Sequence, residues 1–199
     1  MIDEVPPKTH APSRSRTVEW ADPRTIAAAG QDLAGIDFLR ALLAGEIPPP
    51  PAIQLLGIEF VSVDPGTACM RMQAGEYLFN PLGSVHGGSL ATLLDSVMGC
   101  AVHSTLPFGR GYTTLEFKMN FMRAATGRSG LLTASGQVIH SGRQQAVAEG
   151  RLSDESGRLV ATASTTCLVF DLPGAVKQRR PADRAKALTP TVHAREFHR

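Results

Sequence analysis

The chain is short of cysteine, of net charge and of any leading hydrophobic run, and each shortage closes off a class of function. Its three cysteines, Cys69, Cys100 and Cys167, are odd in number, far apart and never arranged as CxxC. That pattern argues against both a disulfide framework and a zinc site. A reducing cytosol is the expected compartment, with no metal and no separate cofactor. Twenty Lys and Arg against eighteen Asp and Glu leave a formal charge of +2, a balance that calls for neither a nucleic acid nor an anionic membrane as partner. The opening MIDEVPPKTHAPSRSRTVEW lacks the apolar core of a secretory signal.

What is there is ordinary globular composition, 43% hydrophobic and 19% charged over 199 residues, which suits one domain with extensions. Residues 1–30 mix Pro, Arg, Ser and Ala without a sustained period and read as a poorly ordered lead holding at most one short turn. From Gln31, the spacing of Leu33, Ile36, Leu39, Leu42 and Leu43 predicts a helix, which Gly45 and the prolines at 48–51 end. A further helical turn, AIQLLG, closes a helical lead-in over residues 31–57.

The period then changes to two. Residues 58–64 and 67–73 read as a hairpin about Pro65 and Gly66. Residues 112–123 alternate, with Thr113, Leu115, Phe117, Met119 and Phe121 on one face and Thr114, Glu116, Lys118 and Asn120 on the other. Three more strands are expected over 130–139, 143–152 and 158–170, separated by HSGR and DESG. Four consecutive strands without intervening helices argue an α+β arrangement, an antiparallel sheet packed on one long helix, over residues 58–171. Beyond Asp171, Lys177, Arg179, Arg180, Arg184, Lys186, Arg195 and Arg199 face only Asp183 and Glu196. Residues 172–199 thus read as a solvated basic tail rather than an RNA contact.

The long helix lies in the stretch NPLGSVHGGSLATLLDSVMGCAVHST, residues 80–105. Its one acid is Asp95. A charge near the middle of a membrane span costs about 2.5 to 3.5 kcal/mol, so this is a buried core helix and not a crossing. Desolvation raises the pKa of an acid in such a place unless something compensates, which makes Asp95 a candidate general base or nucleophile. The bland alternative is a structural acid capped by neighbouring donors. At the helix start, Gly87 and Gly88 leave backbone amides open to a ligand oxygen, the geometry of an oxyanion site.

Eight residues separate Gly87 from Asp95, about 12 Å of helix. An amide that polarises a carbonyl and a carboxylate that activates its attacker must both reach one reacting centre within about 3 Å. One copy of the helix cannot supply both. The spacing predicts a composite site between two subunits whose helices lie side by side and antiparallel.

Asn80, then His86-Gly87-Gly88, then Asp95, followed by the strand at 112–123, resembles the hotdog-fold thioesterases of the PaaI type. The resemblance covers roughly residues 50–170. It implies an antiparallel sheet wrapped around the central helix, homodimers or dimers of dimers that join their sheets, and an acyl-CoA substrate. By that resemblance Asp95 activates water or attacks the thioester, the Gly87 amide is the oxyanion donor, and Asn80 and His86 shape the same end of the site. Across the interface, a hydroxyl residue on the strand after the helix assists the water, which falls on Thr114. The turn that helps hold CoA falls on His140, Ser141, Gly142 and Arg143, with Arg143 meeting a phosphate; Gly88 joins the substrate-binding set.

Other readings stand beside these. His86 serves equally as a helix cap, and Asn80 as a turn residue before Pro81. Cys100 and His103, three apart on the helix, invite a nucleophile pair, but apolar neighbours favour core packing. Lys118 and Arg123 read as solvated edge charges. Hotdog enoyl-CoA hydratases pair an acid with a His in a tighter pattern than Asp95 and His103. A non-catalytic acyl-CoA sensor is the binding-module alternative, with no helix-turn-helix pattern to support it.

Overall fold

The structure, a computed structural model, describes residues 13–173; the basic cluster of the tail lies outside the described residues. The elements run α1 (Pro23–Gly30), α2 (Gly35–Leu43), α3 (Pro51–Leu56), β1 (Ile58–Asp64), β2 (Thr67–Gln73), α4 (Gly87–His103), β3 (Arg110–Phe121), β4 (Leu131–Ser141), β5 (Gln145–Ser153) and β6 (Leu159–Asp171). The strands form one antiparallel sheet in the order β1-β2-β4-β5-β6-β3. This is the α+β arrangement that the strand run predicts.

The long helix α4 seats on the sheet because large side chains on the helix meet small ones below. Leu90, Leu93, Leu94, Val97, Met98, Ala101 and Val102 are buried at helical spacing, each large aliphatic group contributing about 1.5–3 kcal/mol. Beneath them the sheet offers Ala134, Ala146 and Ala148, and two glycines. A Cβ at Gly136 would sit 2.6 Å from the Val97 carbonyl oxygen, and one at Gly150 would sit 2.9 Å from Leu94 Cδ2. Helix and strand backbones are thus nearly in contact. The β1–β2 hairpin, turning at Gly66 with φ +85°, is tied to the far end of α4 where the Gly66 amide donates to Ser104 Oγ at 2.8 Å.

Four expectations need correction. The lead holds more than one short turn within residues 13–30: Asp22 accepts the Arg24 amide at 2.9 Å, Pro23 fills the first helical position, and the eight-residue α1 follows. Only Ile26 of that helix is buried, too little to leave a period in the sequence. Helix α2 begins at Gly35, four residues after Gln31, because the Gly35 amide donates to the Leu106 carbonyl at 3.0 Å and the chain there lies flush against the end of α4.

Strand β3 does not alternate throughout. A bulge leaves Leu115 unpaired between the pairs Thr114–Cys167 and Glu116–Thr166. The inward face therefore carries Tyr112 and Thr114 before the bulge and Phe117 and Met119 after it, with Thr113 and Leu115 exposed. Finally, β4 runs on to Ser141, so the β4–β5 turn occupies Gly142, Arg143 and Gln144 rather than residues 140–143.

The DESG turn holds the charge site with the clearest stability consequence. Asp154 Oδ1 accepts the Ser156 hydroxyl at 2.7 Å and the Arg158 amide at 3.0 Å, and Oδ2 accepts Arg158 Nε at 2.9 Å. The Ser156 hydroxyl above all, then Arg158, holds this carboxyl at about 2. A depressed folded-state pKa gives stability that is complete above the unfolded value near 4 and is lost as pH falls through about 2. Asp154→Ala is expected to lower Tm at neutral pH, and melts taken at decreasing pH should show the gap to the parent narrowing across that window.

Candidate active site

Asp95 stands midway along α4, on the face toward the edge strand β3. Leu93 and Leu94 beside it are wholly buried, whereas Asp95 and Ser96 are half-buried. The carboxylate is thus not submerged as the apolar surroundings suggest, because what faces it is β3, the strand at the edge of the sheet. Thr114 Oγ1 donates to Asp95 Oδ1 at 2.9 Å. The bulge at Leu115 makes that bond available, since it puts Thr114 on the helix-facing side of β3. Both residues belong to one chain: Thr114 lies on the same side of any interface as Asp95.

The thiol and imidazole further along the helix are not a nucleophile pair. Desolvation, with the negative charge of Asp95 adding to it, pushes the Cys100 thiol up to about 12, so it keeps its proton at neutral pH. Burial lowers the pKa of His103, whose ring lies 5.6 Å from both Phe38 and Tyr112. Burial also raises Tyr112 well above the usual phenol range. Cys100 and Tyr112 are therefore neutral neighbours of Asp95.

The start of α4 is built around Gly87. His86 is the cap: its Nδ1 accepts the Gly88 amide at 2.9 Å, which fixes the imidazole with an unprotonated Nδ1. The Gly87 amide has no partner among the described residues, as the first turn of a helix allows. Asn80 braces the preceding loop, accepting the Leu82 amide at 2.9 Å and donating Nδ2 to Ser84 Oγ at 3.0 Å. It is a turn residue, and it also borders the same cleft as Gly87. That cleft, of about 400 Å³, is lined by Asn80, Gly87, Leu90, Phe121, Met122 and Arg123. The Phe121 ring comes so near that a Cβ at Gly87 would meet its Cζ at 3.0 Å.

The β4–β5 turn lies at the opposite end of α4. Ser141 Oγ is 3.2 Å from Thr105 Oγ1, just past the helix end, and His140 and Arg143 are exposed. Arg110, paired with Asp171 at 3.0 Å, also donates to the Arg143 carbonyl and so pins the turn to the sheet. Arg143 itself has no ion-pair partner among the described residues. Arg123 donates to the Leu159 carbonyl at 2.8 Å.

The structure therefore brings together Asp95 with Thr114, and separately Gly87 with Gly88, His86 and Asn80. The continuous helix from Gly87 to His103 keeps the two groups about 12 Å apart. The turn at 142–144 belongs with neither group's immediate neighbourhood. Tyr112, Phe121 and Arg110 escape the sequence reading. The first of them left a trace in Gly99, one turn past Asp95, where a Cβ would come 2.9 Å from Tyr112 Cε2. Among the described residues, no three His, Cys, Asp or Glu side chains gather as a metal site, and no helix is long and apolar enough to cross a membrane.

Comparison with known proteins converges on one family. The Thioesterase superfamily profile matches residues 82–161, from the loop before Gly87 into β6. The 1,4-dihydroxy-2-naphthoyl-CoA hydrolase of Listeria monocytogenes is 28% identical over 58% of this chain and 93% of its own length. The acyl-coenzyme A thioesterase PaaI of Escherichia coli is 32% identical over 53% of this chain and 73% of its own. Among solved structures, a phenylacetic acid degradation-related protein of Ralstonia eutropha JMP134 superposes with a TM-score of 0.60, at 35% identity, over 65% of this chain and 97% of that one. With a six-stranded antiparallel sheet around one helix and relatives matched over most of their length, the chain belongs to the thioesterase superfamily, as a hotdog-fold member of the PaaI type.

Proposed function

We propose that the chain hydrolyses acyl-CoA thioesters at a site assembled from two copies, the Gly87 amide coming from one and Asp95 with Thr114 from the other. The observation that carries this reading is the Asp95–Thr114 pair, partly exposed, with Asp95 midway along the same rigid rod as an amide that has no partner among the described residues about 12 Å away. Two such helices, antiparallel and side by side, bring each carboxylate to the other's amide. The long edge strand β3 suits the joining of two sheets: no strand covers its outer side among the described residues, and Leu115, Phe121 and Met122 beside it are exposed.

In this scheme the thioester oxygen accepts from the Gly87 N–H, backed by the positive end of a 17-residue helix. Asp95 takes a proton from a water molecule as the water oxygen bonds to the carbonyl carbon. Thr114, already donating to Oδ1, fixes the carboxylate, and its hydroxyl oxygen can hold the same water. The tetrahedral oxyanion sits on the Gly87 amide until the C–S bond breaks; CoA leaves as its thiolate, the acid is released, and the proton on Asp95 passes to the thiolate or to solvent. His86 and Asn80 hold the amide in place and take no proton. Arg143, exposed and pinned through its backbone by Arg110, is set to meet a CoA phosphate. No group beyond the CoA carried by the substrate is required, and three free thiols suit a cytosolic enzyme.

Thiol release from a panel of aromatic and aliphatic acyl-CoAs tests the assignment. Asp95→Asn is expected to lower kcat by about 10²–10⁴ while Tm and KM hold; turnover at the parental rate would sink the role of Asp95. Gly87→Pro removes the amide proton at a position where a helix accepts Pro, after a His86 whose φ −60° and ψ 134° suit a pre-proline residue; because its Cβ also meets Phe121 Cζ at 3.0 Å, Gly87→Ala, which adds the same Cβ and keeps the N–H, is the reference. The Pro variant should cost about 10²–10³ in kcat relative to Gly87→Ala, read in the same assay against an unchanged helical signal.

A further inference from the structure

Three residues on one face of α4, Asp95, Gly99 and His103, follow one another at single-turn intervals. Opposite them, β3 presents Thr114 to Asp95 and, two residues earlier on the same face, Tyr112 to Gly99. The fit at Gly99 is tight: a Cβ there would collide with the Tyr112 hydroxyl and come 2.9 Å from Cε2. The absent side chain is what lets the phenol lie across the helix. The Tyr112 hydroxyl makes no hydrogen bond among the described residues, so its ring is placed by packing.

Beyond Tyr112 lies a second space, about 360 Å³, lined chiefly by Gln31, Phe38, His103, Tyr112, Phe170 and Leu172. Its surface is mostly apolar, and the His103 imidazole is sandwiched between Phe38 and Tyr112. Arg110, at its edge, is spoken for by Asp171 and the Arg143 carbonyl. One wall comes from α1 and α2, which precede the residues that match the superfamily. Neither Asp95 nor Thr114 borders this space, because Tyr112 stands between. His103 is about 12 Å along the helix from Asp95, further than a single ring attached to the thioester carbonyl would reach.

We propose that Tyr112 is the floor of the acyl site. It admits acyl groups that fit between Asp95 and its ring, and it shuts longer aliphatic chains out of the apolar space walled by α1 and α2. The inference rests on Asp95 marking the reacting carbonyl. An aliphatic chain end suits that lining, whereas the pantetheine arm of CoA, with two amides, would leave polar groups without partners there.

The test compares the parent with Tyr112→Ala and Tyr112→Phe on hexanoyl-CoA and dodecanoyl-CoA. Thiol release is measured beside calorimetric binding of non-hydrolysable 2-oxoalkyl-CoA analogues of the same two lengths. Tyr112→Ala should raise the dodecanoyl-to-hexanoyl ratio of kcat/KM, and the matching binding ratio, by roughly tenfold or more. Tyr112→Phe should keep the parental ratio, because the ring and not the hydroxyl forms the floor. Adding Phe38→Trp to Tyr112→Ala refills the space and should move the ratio back. If the Ala variant melts too low, Tyr112→Leu should shift the ratio the same way.

A folded Tyr112→Ala protein with both ratios unmoved overturns the proposal, as does an equal change for both lengths and for CoA alone, which would put CoA in that space. A binding ratio that moves while no variant releases thiol keeps the floor and removes the hydrolase reading instead.

Discussion

A helix is a rod with fixed spacing, and α4 inherits its chemistry from that fact. Its amide end and its carboxylate are separated by a rise that no side-chain rotation closes. The rod is also held rigidly. Gly136 and Gly150 let it settle almost onto the strand backbones, and seven of its side chains are buried. Such packing leaves little freedom to slide or tilt. The carboxylate and the amide are therefore set at a constant offset before any substrate arrives, which is the preorganisation that electrostatic catalysis needs. On the proposed reading, the same offset is what makes a single copy incomplete.

Around that rod, small irregularities do the aiming. One extra residue in β3 decides whether Thr114 faces solvent or Asp95. One histidine cap decides which amide at the helix start is spent: Gly88 donates to His86, and Gly87 is left without a partner among the described residues. Gly99 makes room for the Tyr112 ring between Asp95 and the apolar space beyond. The neighbours of Asp95 add no competing anion, since Cys100 and Tyr112 keep their protons.

The strand count, the β1–β2 hairpin and the long helix were all legible in the sequence, because period-two and helical spacing record which residues meet the core. The HGG and Asp spacing carried the family and the argument for two copies. Other features left no local trace. The bulge at Leu115 falls inside an alternation that reads smoothly either way, and the pairing of Thr114 with Cys167 and of Glu116 with Thr166 depends on a strand about fifty residues later. Helix α1 buries one residue, too few for a period. The partial exposure of Asp95 follows from its facing β3, the edge strand of the sheet, which apolar neighbours in the sequence conceal. Arg110 and Tyr112 owe their placement to tertiary partners that no motif encodes.

The most direct measurement is complementation between two inactive chains. Asp95→Asn and Gly87→Pro proteins are each assayed for thiol release, then mixed under conditions that exchange subunits, and assayed again. If the site is shared, each mixed dimer holds one intact pair of Gly87 and Asp95 and one doubly defective pair, so random exchange should restore about a quarter of the parental activity. A mixture no more active than its two components, with exchange verified by a mass-tagged chain, would place amide and carboxylate in the same copy and contradict the account.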